Sequence, residues 1–571
     1  MKNKIIIAIL ILTFAVCLCF SVAIMPVGAE ETKSGVCGSE GSSVSWVLNI
    51  KTGVLQISGG GSIADYSATA TVGSNAAPWR SYADSVDSII IKEGITKIGK
   101  NAFAGLTKLK ALTLPEGLTK IEENAFLHCG SLGGLEIPST VTEIGKNAFA
   151  NCGAIESITV DAANTVYRSD ANCLIQISNE TVIRGSRKIE LPTDVKYIGE
   201  YAFSGSDIKA LALPESIIYM GYGAFADCNK IEEITVPFVG DCRLDSNGEP
   251  TYTHPGDTPD ADGTRGKYRN ALWYLFGDNG TPDSLKKVTL TDSVTIGNEA
   301  FSGEDGITDV VLPKELKVIG ASAFDGCSSL KSIVLPEGLE KINASAFKGC
   351  VAFSEVTLPD SVSAVGVSLF DGCVKLERVK IGKGITKLGE GSFYRCPSLS
   401  SFEVSSENTV YYAEGGCIIE KATAKLVVGC KNTVIPSNIK IIGVGAFRNC
   451  ISLTKVTLPE GLTEIERSAF ESCTGLTEIV IPDKVTSIGA SAFAECVNLK
   501  SVKISKDVKV GDSAFKNCTS LDSSSLYVYS GSWGVSNGGS NAWIWWIVAA
   551  VGAVAIAIVV YSIVVMKKRK E

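Results

Sequence analysis

Phenylalanine recurs along the chain at a nearly constant interval, and this regularity restricts the folds open to the sequence. Most intervals between fourteen such residues are 23 residues long, and two are 22. Two intervals of 54 residues and one of 76 indicate insertions. A fixed period in this range is typical of stacked repeats, in which no unit buries its apolar residues alone. The positions are Phe103, Phe126, Phe149, Phe203, Phe225, Phe301, Phe324, Phe347, Phe370, Phe393, Phe447, Phe470, Phe493 and Phe515.

One repeat, Leu453–Cys473, has the sequence LTKVTLPEGLTEIERSAFESC. Its first residues fit a short parallel strand, which Pro459 ends because proline has no N–H to donate. The segment around Ala469 and Phe470 would close the coil as one helical or 3₁₀ turn. The sequence therefore predicts an α/β repeat solenoid, a leucine-rich-repeat horseshoe with a parallel β-sheet on its concave face and short helical or 3₁₀ turns on its convex side.

Cysteine follows the same period, because eleven of the eighteen cysteines lie three residues after a repeat phenylalanine. A buried cysteine behaves as a small apolar residue, so we expect a ladder of free thiols in the core. Disulfides between neighbouring repeats are the alternative, since secretion permits oxidation, and Cys417 could also pair with Cys430. Predicted core positions are Phe126, Cys129, Phe324, Cys327, Phe347, Cys350, Phe470, Cys473, Phe493 and Cys496.

Both ends of the chain carry apolar segments unlike the repeats. Residues 1–29 combine a basic start, an apolar stretch and a small-residue cleavage site, which predicts a signal peptide. Residues 543–566 hold no charge and would form a helix about 36 Å long, enough to span a bilayer. The basic residues 567–571 would then be a cytoplasmic tail. We expect a single-pass protein of the cell membrane, with its N-terminal bulk outside.

The remaining sequence divides by composition and period. We expect a β-rich cap at residues 30–86, the solenoid at 87–526 with insertions near 161–190, 238–284 and 405–434, and a flexible stalk at 527–541.

Charge and histidine content argue against several functions. The formal net charge is −8, whereas a nucleic-acid-binding protein normally presents a basic surface. The chain has two histidines, His128 and His254, so a histidine-based metal or catalytic centre is not expected. No paired-carboxylate site stands out from the repeats. We therefore expect neither enzyme activity, nor a cofactor, nor a nucleic-acid partner.

The repeat LxxVxLPxxLTxIGxxAFxxC resembles the BspA-type leucine-rich repeat of bacterial, archaeal and protozoan surface proteins, from about Ser88 to Leu526. The resemblance implies a cell-surface protein that adheres or binds other molecules, and it transfers no catalytic residues. Two insertions, beginning NTVY at Asn164 and at Asn408, are similar to each other and fit β-hairpins that project from such arrays.

The long insertion, residues 238–284, is the strongest candidate for a recognition surface. Protein-binding hot spots are enriched in Trp, Tyr and Arg, whereas the outward positions of the predicted strands hold no aromatic residue. The ALWYLF segment within the insertion could instead pack back on the solenoid. The candidate binding residues are Tyr252, Arg265, Tyr268, Arg269 and Tyr274.

Three aspartates in the same insertion, Asp257, Asp260 and Asp262, are weak candidates for calcium ligands. Carboxylates in loops suit calcium, but their spacing does not complete an EF-hand pattern. An ordinary solvated loop is the alternative. We therefore predict no metal site and regard the three aspartates only as weak calcium candidates.

Two functions remain open. The first is a membrane-anchored surface protein that mediates adhesion or protein–protein binding. The second is a structural component of the cell envelope that binds itself or cell-wall polymer. In either case we expect the partner to be an extracellular protein or a surface polymer.

Overall fold

The computed structural model describes residues 31–69, 75–187, 191–251, 271–505 and 507–521. The predicted signal peptide, stalk, membrane segment and basic tail lie outside these ranges. Within them, no helix is long and apolar enough to cross a membrane. The described residues fall into two compact units. The first unit runs to Ile231 and includes Trp273–Ser284, and the second contains Glu232–Leu272 and the residues from Leu285 onward.

Three antiparallel strands, Thr32–Val36, Ser43–Asn49 and Val54–Ser62, precede the repeats. The third pairs in parallel with the first repeat strand. Behind it Trp79 is buried, stacks on Phe103 with ring centroids 5.0 Å apart, and donates its indole N–H to the Ala102 carbonyl at 2.9 Å. A 3₁₀ helix follows at Arg80–Ser85. This sheet and Trp79 thus cover the apolar end of the first repeat.

Each regular repeat begins with a strand of three or four residues, the first strand series. Paired residues in neighbouring repeats are 23 positions apart, as for Glu355 with Arg378 and Arg378 with Ser401. Stacked parallel strands confirm the predicted repeat fold. The members are Ser88–Ile91, Ala111–Thr113, Gly134–Ile137, Ser157–Val160, Ala210–Ala212, Glu233–Val236, Lys287–Leu290, Asp309–Val311, Glu355–Leu358, Arg378–Ile381, Ser401–Val404, Glu478–Val480 and Ser501–Lys503.

A second, shorter strand follows in most repeats. These strands also pair in parallel, as Lys341–Ile342 does with Val318–Ile319. Their second residue, most often isoleucine, generally enters the core. The members of this second strand series are Ile95–Ile98, Lys120–Ile121, Glu143–Ile144, Tyr197–Ile198, Tyr219–Met220, Thr295–Ile296, Val318–Ile319, Lys341–Ile342, Ala364–Val365, Ile441–Ile442, Glu464–Ile465, Ser487–Ile488 and Lys509–Val510.

The third side of each repeat, which we call the Phe turn, is neither α-helical nor 3₁₀-helical. In all fourteen, the residues two before and two after the phenylalanine have positive φ, as Ser345 (57°) and Gly349 (69°) do around Phe347. A right-handed helix needs consecutive negative φ values, so the prediction of helical turns was wrong. Beyond Arg80–Ser85, the described 3₁₀ helices are Leu272–Leu275 and Gly277–Asn279, inside the long insertion.

Hydrogen bonds between repeats take the place of those within a helix. The Phe347 N–H donates to the Leu369 carbonyl at 3.0 Å, and the Ser345 N–H donates to the Val367 carbonyl at 2.8 Å. Small residues dominate the positive-φ positions because glycine, asparagine and serine tolerate this conformation or bond locally. Each Phe turn is therefore held by its neighbour as well as by its own bonds, such as that from the Cys350 N–H to the Phe347 carbonyl at 3.3 Å.

The phenylalanine rings stack into columns. Phe324 and Phe347 lie 5.3 Å apart and Phe347 and Phe370 lie 5.6 Å apart, with interplanar angles below 10°. In ten repeats the cysteine three residues after the ring donates its thiol hydrogen to the phenylalanine carbonyl of the preceding repeat, as Cys350 does to Phe324 at 3.2 Å. All sixteen described cysteines are free thiols, Cys417 and Cys430 included. The thiol ladder predicted from the sequence is present.

Two three-stranded hairpin insertions interrupt the columns. One comprises Tyr167–Asp170, Cys173–Gln176 and Thr181–Gly185, and the other Tyr411–Glu414, Cys417–Glu420 and Lys425–Val428. In each, the first two pairings are antiparallel, and the third strand then pairs in parallel with the second strand series.

A buried asparagine fastens each hairpin to the preceding repeat. The Asn408 side-chain amide donates to the carbonyls of Gly382 and Ile385 at 3.0 and 2.9 Å, and its oxygen accepts the N–H groups of Val410 and Tyr411 at 2.9 and 2.7 Å. Asn164 makes the same four contacts in the other hairpin. The side-chain amide of each asparagine thus makes four hydrogen bonds. They fix the turn at which the hairpin begins, which we call the asparagine corner.

Replacing Asn408 by alanine is expected to lower the free energy of unfolding by about 2–4 kcal/mol, because two buried N–H groups lose their acceptor and two carbonyls lose a donor. Urea unfolding followed by circular dichroism measures the loss. Asn438→Ala is the control, since Asn438 makes an exposed contact with Tyr412 in the same insertion. Equal, small effects of the two substitutions would contradict the corner's role.

Candidate binding surfaces

The outward residues of the first strand series form an exposed surface, here called the strand face. In Arg378–Ile381, for example, Arg378 and Lys380 are exposed while Val379 and Ile381 are buried. Neighbouring repeats carry opposite charges: Arg378 contacts Glu355 at 2.9 Å and Lys380 contacts Glu403 at 3.3 Å. The Arg378 hydrogen bond lowers the pKa of the Glu355 carboxyl. These pairs leave the strand face polar but largely neutralised.

A small apolar patch lies within the strand face of the second unit. Val311 and Val334 occupy the same outward position in consecutive repeats and are 46% and 85% exposed. Residues 332–334 do not form a strand, so the sheet is interrupted at this repeat. Contiguous exposed apolar side chains are a feature of surfaces on which partners pack.

The structure describes only the two ends of the long insertion. Of the candidate binding residues, Tyr252, Arg265, Tyr268 and Arg269 lie outside the described ranges, as do the calcium candidates Asp257, Asp260 and Asp262. Within the described ranges, no group of three or more His, Cys, Asp or Glu side chains could hold a metal ion.

Tyr274, the fifth candidate, is a core residue. It is 4% exposed and packs edge-on against Tyr222 with ring centroids 5.3 Å apart. Its carbonyl accepts the Gly223 N–H at 3.0 Å. The segment that contains Tyr274 therefore takes the place of a Phe turn. The prediction that Tyr274 belongs to a recognition surface is wrong. Phe276 is buried beside Phe225, as the alternative of packing on the solenoid predicted.

Beside the second hairpin, the second unit contains a cavity of about 250 Å³, which we call the hairpin cavity. The Phe393 turn and Val428 lie on one side, and the Phe447 turn lies on the other. Most of its charged groups are ion-paired: Glu390 contacts Arg467 at 3.2 Å, Glu466 contacts Lys425 at 2.8 Å and Arg448 contacts Glu471 at 2.9 Å. Glu420, also in the lining, accepts a hydrogen bond from the Thr423 hydroxyl.

Two side chains of the hairpin cavity each have one polar atom without a hydrogen-bond partner, although Arg448 Nη2 donates to Glu471 at 2.9 Å. The Arg448 guanidinium lies over the Tyr394 ring at 5.4 Å. Within the described residues, neither the Tyr394 hydroxyl nor Arg448 Nε, both buried, has a hydrogen-bond partner. Burial raises the pKa of Tyr394, so its hydroxyl stays protonated. A β-carbon added to Gly445 would lie 2.0 Å from this hydroxyl, and glycine is therefore required there.

Reasoning from the sequence missed this cavity and the asparagine corners. The similarity of the two NTVY segments was visible, but the buried role of Asn164 and Asn408 depends on carbonyls of an earlier repeat. One signal of the cavity was available in the sequence. When the two hairpins are aligned, Val428 of the second occupies the position of Arg184 in the first.

The repeat geometry and the sequence together assign the family. The chain matches the BspA type leucine rich repeat region (6 copies) over residues 81–184, 182–240, 294–414 and 419–528, more than half of its length. The chain belongs to the BspA-type leucine-rich-repeat family. A comparison with curated protein sequences gives no significant match.

Among solved structures, the chain is similar to several bacterial members of the same repeat class. A leucine-rich repeat protein from Bacteroides ovatus is 21% identical, with 87% of this chain and 94% of that one covered and a TM-score of 0.36. A second, from Eubacterium ventriosum, is also 21% identical, over 83% and 96%, with a TM-score of 0.27. The pneumococcal vaccine antigen PcpA is 18% identical, over 75% and 98%, with a TM-score of 0.30.

Proposed function

We propose that this chain is a membrane-anchored cell-surface protein whose extracellular repeat array mediates adhesion by binding other proteins. The observation that carries the proposal is the strand face, where each repeat offers two outward side chains from a hydrogen-bonded frame. Such surfaces vary from repeat to repeat while the core stays constant. The apolar patch of Val311 and Val334 supplies one place where a partner could exclude water.

Anchoring is the second part of this proposal. Residues 1–29 and 543–566 support it by their composition alone, as a signal peptide and a spanning helix. Protease treatment of intact cells tests the orientation. We expect the array to be cleaved from outside while an epitope placed after Glu571 stays protected, and an uncleaved array would refute the surface location.

Direct binding tests the partner class. The purified full chain would be offered immobilised matrix proteins, cell-wall polysaccharide and itself, with and without a chelator. Saturable binding to a foreign protein supports the adhesin. Binding only to itself or to wall polymer would instead support a structural envelope component. The charge-paired strand face without aromatic residues favours that second function, since it lacks the usual hot-spot side chains. Sensitivity to the chelator would support the calcium candidates.

If the long insertion is the recognition surface, replacing residues 252–270 by a Gly-Ser linker of equal length should abolish partner binding. The buried segment from Leu272 to Phe276 remains in this variant, so far-UV circular dichroism and the melting temperature should not change. The matched control is the double variant Val311→Asp, Val334→Asp, which places two charges on the strand face. Binding that survives the linker but is lost in the control would move the site to the strand face.

A further inference from the structure

The two hairpins enter the array in equivalent ways, yet they leave different junctions behind. Gly185 and Gly429 occupy matching positions, and a β-carbon on either would lie within 2.0 Å of the next phenylalanine ring, Phe203 or Phe447. The first junction is closed: a β-carbon on Gly153 would lie 1.7 Å from the Gly205 carbonyl. The second junction contains the hairpin cavity.

One side chain accounts for much of the difference. In the first junction Arg184 is 1% exposed, and its Nη1 donates to the Ser204 carbonyl at 3.0 Å. The Asn151 N–H donates to the Ser204 hydroxyl at 2.7 Å. In the second junction, Val428 replaces Arg184 and Arg448 replaces Ser204. Valine has no donor to replace the Arg184 contact, and Arg448 has no hydroxyl to replace that of Ser204, so neither contact is reproduced.

Both hairpin junctions contain hydrogen-bond donors without acceptors. In regular junctions the N–H of the phenylalanine, and that of the residue two before it, donate to the next repeat. Those of Phe393 and Gly391, like those of Phe149 and Asn147 in the first junction, find no acceptor among the residues that the structure describes. The Tyr394 hydroxyl and Arg448 Nε add two more groups. Four unpartnered donors thus belong to residues lining one cavity.

Other residues that line the hairpin cavity offer hydrogen-bond acceptors. The carbonyls of Val444 and Arg448 correspond to those that accept N–H groups in regular junctions, and within the described residues no donor reaches them. A carboxylate is an acceptor with about four lone-pair sites and no donor, so it matches the four unpartnered donors.

We propose that the hairpin cavity binds the carboxy-terminal carboxylate of a peptide, which would accept from Gly391, Phe393, Tyr394 and Arg448. The amide N–H groups of the peptide would donate to the carbonyls of Val444 and Arg448. A cavity of about 250 Å³ admits only the last few small residues of such a chain. This inference deepens the proposed function, because it names one site and one ligand chemistry for the same binding role.

Fluorescence anisotropy with the full chain and a fluorescein-labelled Ala-Gly-Ala-Gly peptide tests the site. We expect saturable binding of the free acid, and binding at least about tenfold weaker for the same peptide with a C-terminal amide, because the charge-assisted hydrogen bonds are lost. Equal affinities, or no binding of the acid up to millimolar peptide, overturn the proposal. If acetate competes as well as the unlabelled peptide, the ligand is a small free carboxylate and the peptide assignment fails.

Variants locate the site. Val428→Arg should fill the cavity as Arg184 fills the first junction and weaken binding at least about tenfold. Val334→Arg makes the same change on the strand face of the same unit and should leave affinity unchanged. Because an introduced arginine could disturb folding, Tyr394→Phe provides a second variant that removes one donor at nearly constant volume; it should weaken binding several-fold.

Affinity retained in both Val428→Arg and Tyr394→Phe places the peptide elsewhere and refutes the assignment. Binding of the full chain to immobilised proteins is scored separately. Loss of the peptide site with retained protein binding therefore overturns this inference alone, whereas loss of protein binding with an intact peptide site overturns the proposed function.

Discussion

Replacing Phe347 by alanine is expected to lower the free energy of unfolding by about 3–5 kcal/mol, because it empties a fully buried ring position in the middle of a column. Phe347 is 0% exposed and contacts three other rings, Phe324, Phe353 and Phe370, at centroid distances of 5.3 to 5.6 Å. Urea unfolding of wild type and variant, followed by circular dichroism, measures the difference. In a repeat array the damage can also divide one transition into two, since each repeat depends on its neighbours.

Phe393→Ala is the matched control. Phe393 ends its column at the second hairpin, stacks on Phe370 alone and contacts Phe402 edge-on. It is 8% exposed and borders the hairpin cavity, so its removal leaves a space that water can enter. We expect a smaller loss than at Phe347. A larger loss at Phe393 would show that the hairpin, rather than the ring column, dominates the stability of the second unit.

The second large effect is unfolding at alkaline pH. Burial raises the pKa of the thiols of Cys228, Cys396 and Cys496 from 9.0 to about 12, and burial shifts Cys327, Cys350 and Cys373 in the same direction. A folded-state pKa above the unfolded value means that the unfolded chain releases protons first. The stability from these thiols is complete below pH 9 and is lost as the pH rises towards 12.

At pH 10 each such thiol lowers the free energy of unfolding by about 1.4 kcal/mol. The combined effect of several such thiols approaches the free energy of unfolding of a typical domain, about 5–15 kcal/mol. We therefore expect the protein to unfold between about pH 9 and 11 under reducing conditions. Circular dichroism against pH measures the transition. Lysines and tyrosines ionise there too, so the control is Cys350→Ala, which should release about one thiol proton fewer on unfolding.

A fold that stays intact above pH 11 would contradict the thiol ladder. So would a titration of the denatured, unreduced chain that finds fewer reactive thiols than the sixteen described, since disulfides would then replace some of them. Cys450 and Cys518 are the partly exposed members and should react first in the native state, because access controls thiol reactivity.

Buried free thiols are compatible with the extracellular location that we propose, for a chemical reason. The thiolate is the species that attacks disulfides and oxidants. A thiol whose proton is held by a phenylalanine carbonyl in a dry core is neither ionised nor accessible. The ladder therefore fills a column of the core without exposing the protein to disulfide exchange.

Aromatic residues in the long insertion show how a composition argument can mislead. Tyrosine, tryptophan and phenylalanine near Tyr274 resembled a recognition cluster, but burial decides between a hot spot and a core residue. Tyr274 and Phe276 take over the place of a Phe turn, beside Tyr222 and Phe225. Nothing in the local sequence marks that substitution, because it depends on which earlier repeat the segment contacts.

The amino-acid sequence by itself determined the repeat fold. Spacing of phenylalanine and cysteine fixes which residues stack, because a strict period brings the same side chain to the same place in every repeat. Prolines after the strands, and alternating apolar residues within them, determined which positions are buried. Even the two hairpins could be recognised, since their sequences resemble each other.

Only the tertiary structure decided what happens between repeats. The left-handed residues on both sides of each phenylalanine make the Phe turn non-helical. Its N–H groups divide between acceptors within the turn and acceptors in the next repeat, as those of Lys348 and Phe347 do. Two of the four hydrogen bonds of Asn408 join groups more than twenty residues apart. Whether a junction is closed, as beside Arg184, or open, as beside Val428, depends on how far one side chain reaches across a gap that exists only after the coils have stacked.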